Sequence, residues 1–326
     1  MAIKQDFKPA WWLPGAHLQT LWATLARRRL QIPRKIERLE LPDGDFLDLA
    51  WVGNGQGPLI LVLHGLNGSI ESPYLKIFQA IEQRGWRGVL MHFRGCSGEP
   101  NRLARSYHSG ETGDLQYVID ELKRREPQTP LWVLGYSLGG NVLLKWLGET
   151  GAKPGPKLEL SPIHAAVAVS VPFELAKTAD KLNSGASRFY QWWLLRGLNA
   201  AHQHKFKTIS PATSLEGKLK KPRTFWEFDE AITAPLHGFD SAADYYHQSS
   251  SRPYLSSIKI PTLILHARND PFTSLSALPN EQDISLAVTL EITDAGGHLG
   301  FVAGKNPYKP IYWLEDRILD YFQSQL

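Results

Sequence analysis

Acyl transfer asks for three side chains: a serine hydroxyl to attack, a histidine to take its proton, and a carboxylate to hold the histidine. The chain offers one candidate for each. Ser137 lies in Gly135-Tyr136-Ser137-Leu138-Gly139, a G-x-S-x-G arrangement. Asp270 lies in Asn269-Asp270-Pro271-Phe272, and His298 in Gly296-Gly297-His298-Leu299-Gly300. G-x-S-x-G alone is a weak pattern, because glycine and serine are common. What counts is whether each candidate follows a strand that delivers it to the same place.

The element around Ser137 fits that requirement. Leu131-Trp132-Val133-Leu134 is a short apolar run of the kind a buried strand shows. Leu138, Val142, Leu143, Trp146 and Leu147 then recur at helical spacing. A strand that turns at once into a helix forces the serine into a strained conformation. Glycines on both sides remove side chains that would clash, so the hydroxyl stands out at the sheet edge. Leu59 to Leu63 is another buried strand, ending in His64-Gly65-Leu66-Asn67-Gly68. There the backbone N–H of Leu66 is the natural first donor of an oxyanion hole, and the N–H of Leu138 the second. The His64 side chain reads as structural. Ile260 to His266 is a strand leading to Asp270, and Ala287 to Ile292 one leading to His298. Carboxyl ends of parallel strands share one edge, so the three side chains are expected to meet. The chain order Ser137, Asp270, His298 is the order of the α/β-hydrolase fold.

The remaining elements agree. Residues 36–52 alternate in period two about the turn Pro42-Asp43-Gly44-Asp45 and read as a hairpin. Helices are expected over 73–84 and 114–125, strands over 86–93 and 165–171, and a last amphipathic helix over about 308–322. Strands alternating with helices from residue 59 to 171 give a mostly parallel sheet with helices on both faces. Residues 172–255 break that rhythm and read as a helical cap inserted between two strands. The core is then 1–171 and 256–326. Within the cap Trp192, Trp193, Phe225, Trp226 and Phe228 are candidate lining for an acyl pocket. Residues 7–30 carry Trp11, Trp12 and Trp22 and end near Arg27-Arg28-Arg29. Leu18, Leu21, Trp22 and Leu25 form a short amphipathic helix there. Its alternatives are an arm docked on the domain and a weak peripheral membrane contact.

Rival chemistry is less well supplied. Cys96, the single cysteine, has no distinctive surroundings and reads as a packed thiol; an internal disulfide is excluded. Five residues intervene between His108 and Asp114, one more than the acyltransferase pattern His-x-x-x-x-Asp allows. Glu174 is a second candidate acid, on the loop after the preceding strand, but Asp270 has the better loop. Of the 326 residues 43% are hydrophobic, enough for a sizeable core, and the formal charge of +4 comes from mixed signs. Nucleic-acid binding is therefore not implied. No apolar stretch approaches the roughly 18 residues of a membrane span. No secretory leader pattern is visible, so a cytoplasmic location is expected.

The chain resembles the YheT-type hydrolases of bacteria. They belong to the branch of the α/β-hydrolase superfamily that also holds eukaryotic hydrolase-domain lipases and phospholipases. The matching stretches are residues 12–20 (WLPGAHLQT), 64–66 (HGL), 107–114 (YHSGETGD), 135–141 (GYSLGGN), 269–272 (NDPF) and 296–301 (GGHLGF). The resemblance implies a carboxylic-ester hydrolase using Ser137, Asp270 and His298, and it favours an N-terminal arm that is part of the fold. The expected reaction is acyl transfer to water on a small-molecule ester, with no metal or organic cofactor. The alternatives are acyl transfer to another acceptor, a non-catalytic binding module, and a lipase acting at membranes.

Overall fold

The computed structural model describes residues 7–26, 32–153, 162–207 and 221–326. Its strands are β1 (Lys35–Glu40), β2 (Phe46–Val52), β3 (Leu59–Leu63), β4 (Arg87–Met91), β5 (Leu131–Tyr136), β6 (Ala165–Val169), β7 (Thr262–Ala267) and β8 (Val288–Thr293). They form one sheet in the order β1-β2-β4-β3-β5-β6-β7-β8. β2 runs antiparallel to both β1 and β4. All other neighbours are parallel. β3, β5, β6 and β7 are buried along their whole length. That is why they read as continuous apolar runs and not as alternating ones.

Helices α1 (Gly15–Leu25), α2 (Ile77–Gln83), α3 (Gly113–Arg125) and α4 (Leu138–Ala152) precede β6. Helices α5 (Leu175–Leu182), α6 (Arg188–Lys205), α7 (Phe225–Phe228), α8 (Ala234–His237) and α9 (Ala242–Ser249) lie between β6 and β7. Helix α10 (Trp313–Gln323) ends the chain. The two faces of the sheet separate by strand period. Leu59, Leu61 and Leu63 pack with Leu115, Val118, Val142 and Leu143 on the α3 and α4 side. Ile60 and Val62 pack with Phe78, Ile81, Ile318 and Phe322 on the α2 and α10 side.

The insertion between β6 and β7 has its own apolar cluster, with Leu175, Leu182, Tyr190, Leu195, Phe225, Phe228, Ile232, Tyr245 and Tyr246. Asn141 of α4, wholly buried, fastens it to the core. Its amide donates to the Ser109 carbonyl (2.9 Å) and the Ser249 carbonyl (2.7 Å), and its oxygen accepts the Ser251 N–H (3.0 Å). Tyr245 accepts the Ser109 N–H at 3.0 Å. The stretch 107–114 is thus a joint between cap and core.

Three expectations need correction. The last helix starts at Trp313, not near Tyr308. Pro307 and Pro310 break that stretch, and Ile311–Tyr312 pairs instead with Val302–Ala303 as a two-stranded ladder. β6 stops at Val169, because Ser170 takes a left-handed conformation (φ 51°). Helix α1 exists, but only part of its apolar face docks: Leu21 and Trp22 pack against buried clusters and Leu18 and Leu25 do not. Gln19, Thr20 and Ala23 are buried, while Leu18 and Leu25 are 45% and 75% exposed. Hydrogen bonds dock it: Gln19 spans Val302, donating to its carbonyl (3.1 Å) and accepting its N–H (2.8 Å). Trp12 and Trp22 pack on each other at 4.8 Å, and the Trp11 indole donates to the Lys305 carbonyl. Arg27, Arg28 and Arg29 lie outside the described residues.

Candidate active site

Ser137 falls between β5 and α4 with φ 51° and ψ −117°, a conformation that residues other than glycine rarely hold. The neighbouring backbone leaves no room for relaxation. A Cβ on Gly139 would stand 2.6 Å from the carbonyl oxygens of Leu63 and His64. The strain of this elbow is held by packing and aims the hydroxyl away from the sheet.

His298 follows β8 on a loop that α1 braces. A Cβ on Gly297 would meet the Ala16 carbonyl and Thr20 Oγ1, both at 2.6 Å. Thr20 Oγ1 accepts the His298 N–H (2.9 Å), and Asn269 Oδ1 accepts the Gly297 N–H (3.0 Å). Ser170 Oγ accepts the Leu299 N–H at 3.2 Å. The imidazole then lies flat against Phe272, with ring centroids 3.9 Å apart and planes 4° from parallel.

These supports bring the three candidates together. His298 Nδ1 is 2.8 Å from Asp270 Oδ2, and His298 Nε2 is 3.1 Å from Ser137 Oγ. A carboxylate only accepts, so Nδ1 carries the proton and Nε2 presents its lone pair to the serine hydroxyl. Asp270 Oδ1 accepts the Phe272 N–H at 2.7 Å. Burial pushes the Asp270 carboxyl up, but its interactions with His298 and His266 and the hydrogen bond from the Phe272 N–H outweigh it and hold the group below its ordinary value. The acid therefore stays ionised beside the histidine.

The two oxyanion candidates lie at the same place. The Gly65 position is close enough that a Cβ there would be 3.3 Å from Ser137 Cβ. The loop is pinned on each side of Leu66: Tyr74 accepts the Gly65 N–H (2.9 Å) and Tyr107 the Asn67 N–H (3.0 Å). Leu138 is the first residue of α4, where a backbone N–H has no partner inside the helix. His64 is structural: its Nδ1 donates to the Gly65 carbonyl (2.7 Å) and its Nε2 accepts the Phe93 N–H (3.1 Å). Burial drives its pKa down to about 3, so it is neutral.

The rival groups are engaged elsewhere. Burial pushes the Cys96 thiol up to about 12, which leaves it protonated at neutral pH. Asp114 is bidentate to Arg94 (2.6 and 2.7 Å), while His108 accepts the Gly110 N–H, so they form no acid–base pair. Glu174 is ion-paired with Lys177 and Arg252.

A cavity of about 850 Å³ opens over Ser137 and His298. Leu66, Leu175, Leu182, Phe225, Phe228 and Ile232 are among its lining residues. Of the five aromatics expected to line an acyl pocket, Trp193, Phe225 and Phe228 do so. Trp192 is instead exposed, and the Trp226 indole donates to Asp180. The supporting roles of Thr20, Tyr74, Tyr107 and Phe272 are not readable from residue spacing. Thr20, Tyr107 and Phe272 do fall within the stretches that carry the family resemblance, and that is the one signal that singles them out.

Residues 58–305 match the family model described as the alpha/beta hydrolase fold. The chain belongs to the α/β hydrolase family, in its esterase- and lipase-like part. It is 43% identical to "Putative esterase YheT" of Escherichia coli (strain K12), over 98% of this chain and 94% of that protein. It is 29% identical to "Phospholipase ABHD3" of Homo sapiens, over 98% of this chain and 79% of that one. Among solved structures, the α/β hydrolase GrgF of Penicillium sp. sh18 superposes with a TM-score of 0.59 at 15% identity. That superposition spans 90% of this chain and 99% of GrgF. At that identity the likeness concerns the fold.

Proposed function

We propose that the protein hydrolyses carboxylic esters through an acyl-enzyme on Ser137. The observation that carries this reading is the continuous chain from Asp270 through His298 to Ser137, with contacts of 2.8 and 3.1 Å at the floor of the cavity. His298 takes the hydroxyl proton as Ser137 attacks the ester carbonyl. Asp270, ionised and buried, fixes the imidazole tautomer and stabilises the imidazolium. The N–H groups of Leu66 and Leu138 hold the developing oxyanion. His298 then returns its proton to the leaving alcohol and later activates the water that frees the acid.

The cavity's apolar lining favours short- to medium-chain acyl groups or lipid-like esters. The names carried by the relatives, an esterase and a phospholipase, support the same reaction class. Hydrolysis of p-nitrophenyl esters from acetate to palmitate, by the wild type and by Ser137→Ala, tests it. Turnover that disappears in the variant supports the reading, and the optimum length sizes the pocket. Equal background from both proteins across the series would overturn it.

A further inference from the structure

Helix α6 is apolar on two faces. Tyr190 and Leu195 point into the cap's own cluster and are buried. Phe189, Trp192, Trp193 and Arg196 recur at i, i+3, i+4 and i+7, which places them on one stripe. The three aromatics on that stripe are 51–56% exposed. Phe189 and Trp192 lie 6.0 Å apart, Trp192 and Trp193 6.3 Å, and the Arg196 guanidinium sits 5.9 Å over the Trp192 ring. Helix α1 adds Leu18 and Leu25, both exposed. Leu25, Phe189 and Trp193 line the cavity as well as facing outward. The exposed apolar surface is therefore continuous with the lip of the pocket that holds Ser137.

The charge pattern is one-sided. Helix α6 has no Asp or Glu, and α1 has no Asp, Glu, Lys or Arg. Arg188 and Arg196 are both exposed at the α6 stripe. A soluble surface does not ordinarily leave two tryptophans and a phenylalanine together in water. Tryptophan flanked by arginine is the composition of an interfacial helix lying on an anionic lipid surface, aromatics at headgroup depth and cations on phosphates.

We propose that the α1 and α6 rim is a lipid-docking face, and that its partner is an anionic bilayer or micelle surface. Docked in this way, the cavity mouth opens onto the lipid phase, and an acyl chain enters it without crossing water. That delivery step rests on the ester-hydrolase reading; the docking itself does not. Of the tryptophan-rich N-terminal segment this face takes only Leu18 and Leu25; its tryptophans come from α6, while Trp12 and Trp22 are packed against each other.

The test is co-sedimentation of the full chain with vesicles, using phosphatidylcholine alone and phosphatidylcholine with one quarter phosphatidylglycerol. The variant is Leu18→Ser with Trp192→Ser, two exposed positions that do not line the cavity. Wild type is expected to pellet with the phosphatidylglycerol vesicles at low salt and to be released by high salt. The double variant should lose at least about 10-fold in partition, while its circular dichroism and its turnover of a water-soluble short ester are unchanged. Wild type that stays in the supernatant with anionic vesicles would overturn the proposal, and so would a variant that pellets equally well. A wild-type dimer that Trp192→Ser dissociates, with no vesicle binding, would give the face to a second copy instead. A protein that pellets as expected but cleaves no ester would leave the docking in place and remove the hydrolase reading.

Discussion

The floor and the roof of the cavity are built on different principles. The floor is the carboxyl edge of the sheet, where Ser137, Asp270 and His298 stand on turns locked by backbone contact and short hydrogen bonds. Gly139 and Gly297 pack against neighbouring backbone, and Thr20, Ser170 and Asn269 each hold one N–H of the histidine loop. The roof is a set of short helices around one aromatic cluster. It is joined to the core through Asn141 and the residues 107–114, and also by hydrogen bonds from Asn67 to the Leu194 carbonyl, from Ser187 to the Pro271 carbonyl and from Lys205 to Asn101. Chemistry needs positions fixed to fractions of an ångström, and only the floor has that support. In the proposed reaction the roof would meet the substrate's chains, where volume and polarity matter more than exact placement.

That contrast predicts how far each region can be disturbed. The largest effect belongs to the floor. Asp270→Asn offers Nδ1 a donor in place of an acceptor, so the wrong tautomer is stabilised; kcat is expected to fall by about 10⁴-fold with KM little changed. Steady-state kinetics read this, and a variant within 10-fold of wild type would return the acid's role to Glu174.

Acid should weaken the whole molecule through its neutral histidines. Burial drives the pKa values of His64, His108 and His237 down to about 3, from the ordinary histidine value of about 6.5. A depressed pKa means that the stability is fully present above about 6.5 and is lost as the pH falls from there towards 3. At pH 5 each histidine should have cost about 2 kcal/mol. Urea unfolding at pH 7 and pH 5 measures the loss; equal midpoints would contradict it.

At the joint between the regions, Asn141→Ala would leave two buried carbonyls and one N–H unpaired. A loss of about 3 kcal/mol in unfolding free energy is expected from a thermal melt. No shift in melting temperature would mean that the roof does not depend on this clasp. Tyr107→Phe keeps the ring stacked on Phe93 but cannot accept the Asn67 N–H. A fall in kcat of about 10-fold, with KM nearly constant, is the expected mark of a loosened oxyanion loop; a change in KM alone would make Tyr107 a pocket residue. The smallest effect belongs to the roof itself. Phe228→Trp should shorten the preferred acyl chain while changing turnover of acetate esters by no more than about 3-fold.

The floor was legible because its constraints are written in residue type. An apolar run followed by a glycine-flanked serine needs a particular turn, and Asp270 and His298 each follow a run of the same kind. The roof was less legible, since a helix with two apolar faces carries no label for which one is buried. Trp192 and Trp193 are neighbours in sequence, yet only Trp193 lines the cavity. Helix α1 misled for the opposite reason. Gln19 and Thr20 are buried by the hydrogen bonds they make, and apolar periodicity does not register that. The hand-over from Tyr308 to Trp313 depended on two prolines and a two-residue ladder too short to leave a pattern.

The most direct measurement is to catch the acyl-enzyme. The protein would be quenched in acid within milliseconds of mixing with a p-nitrophenyl ester, digested, and read by mass spectrometry. One acyl mass is expected on the peptide that contains Ser137, and none on that peptide in a His298→Ala variant quenched at the same time. An acyl group on Cys96 or on any other residue, or ester turnover with no adduct at Ser137, would contradict it.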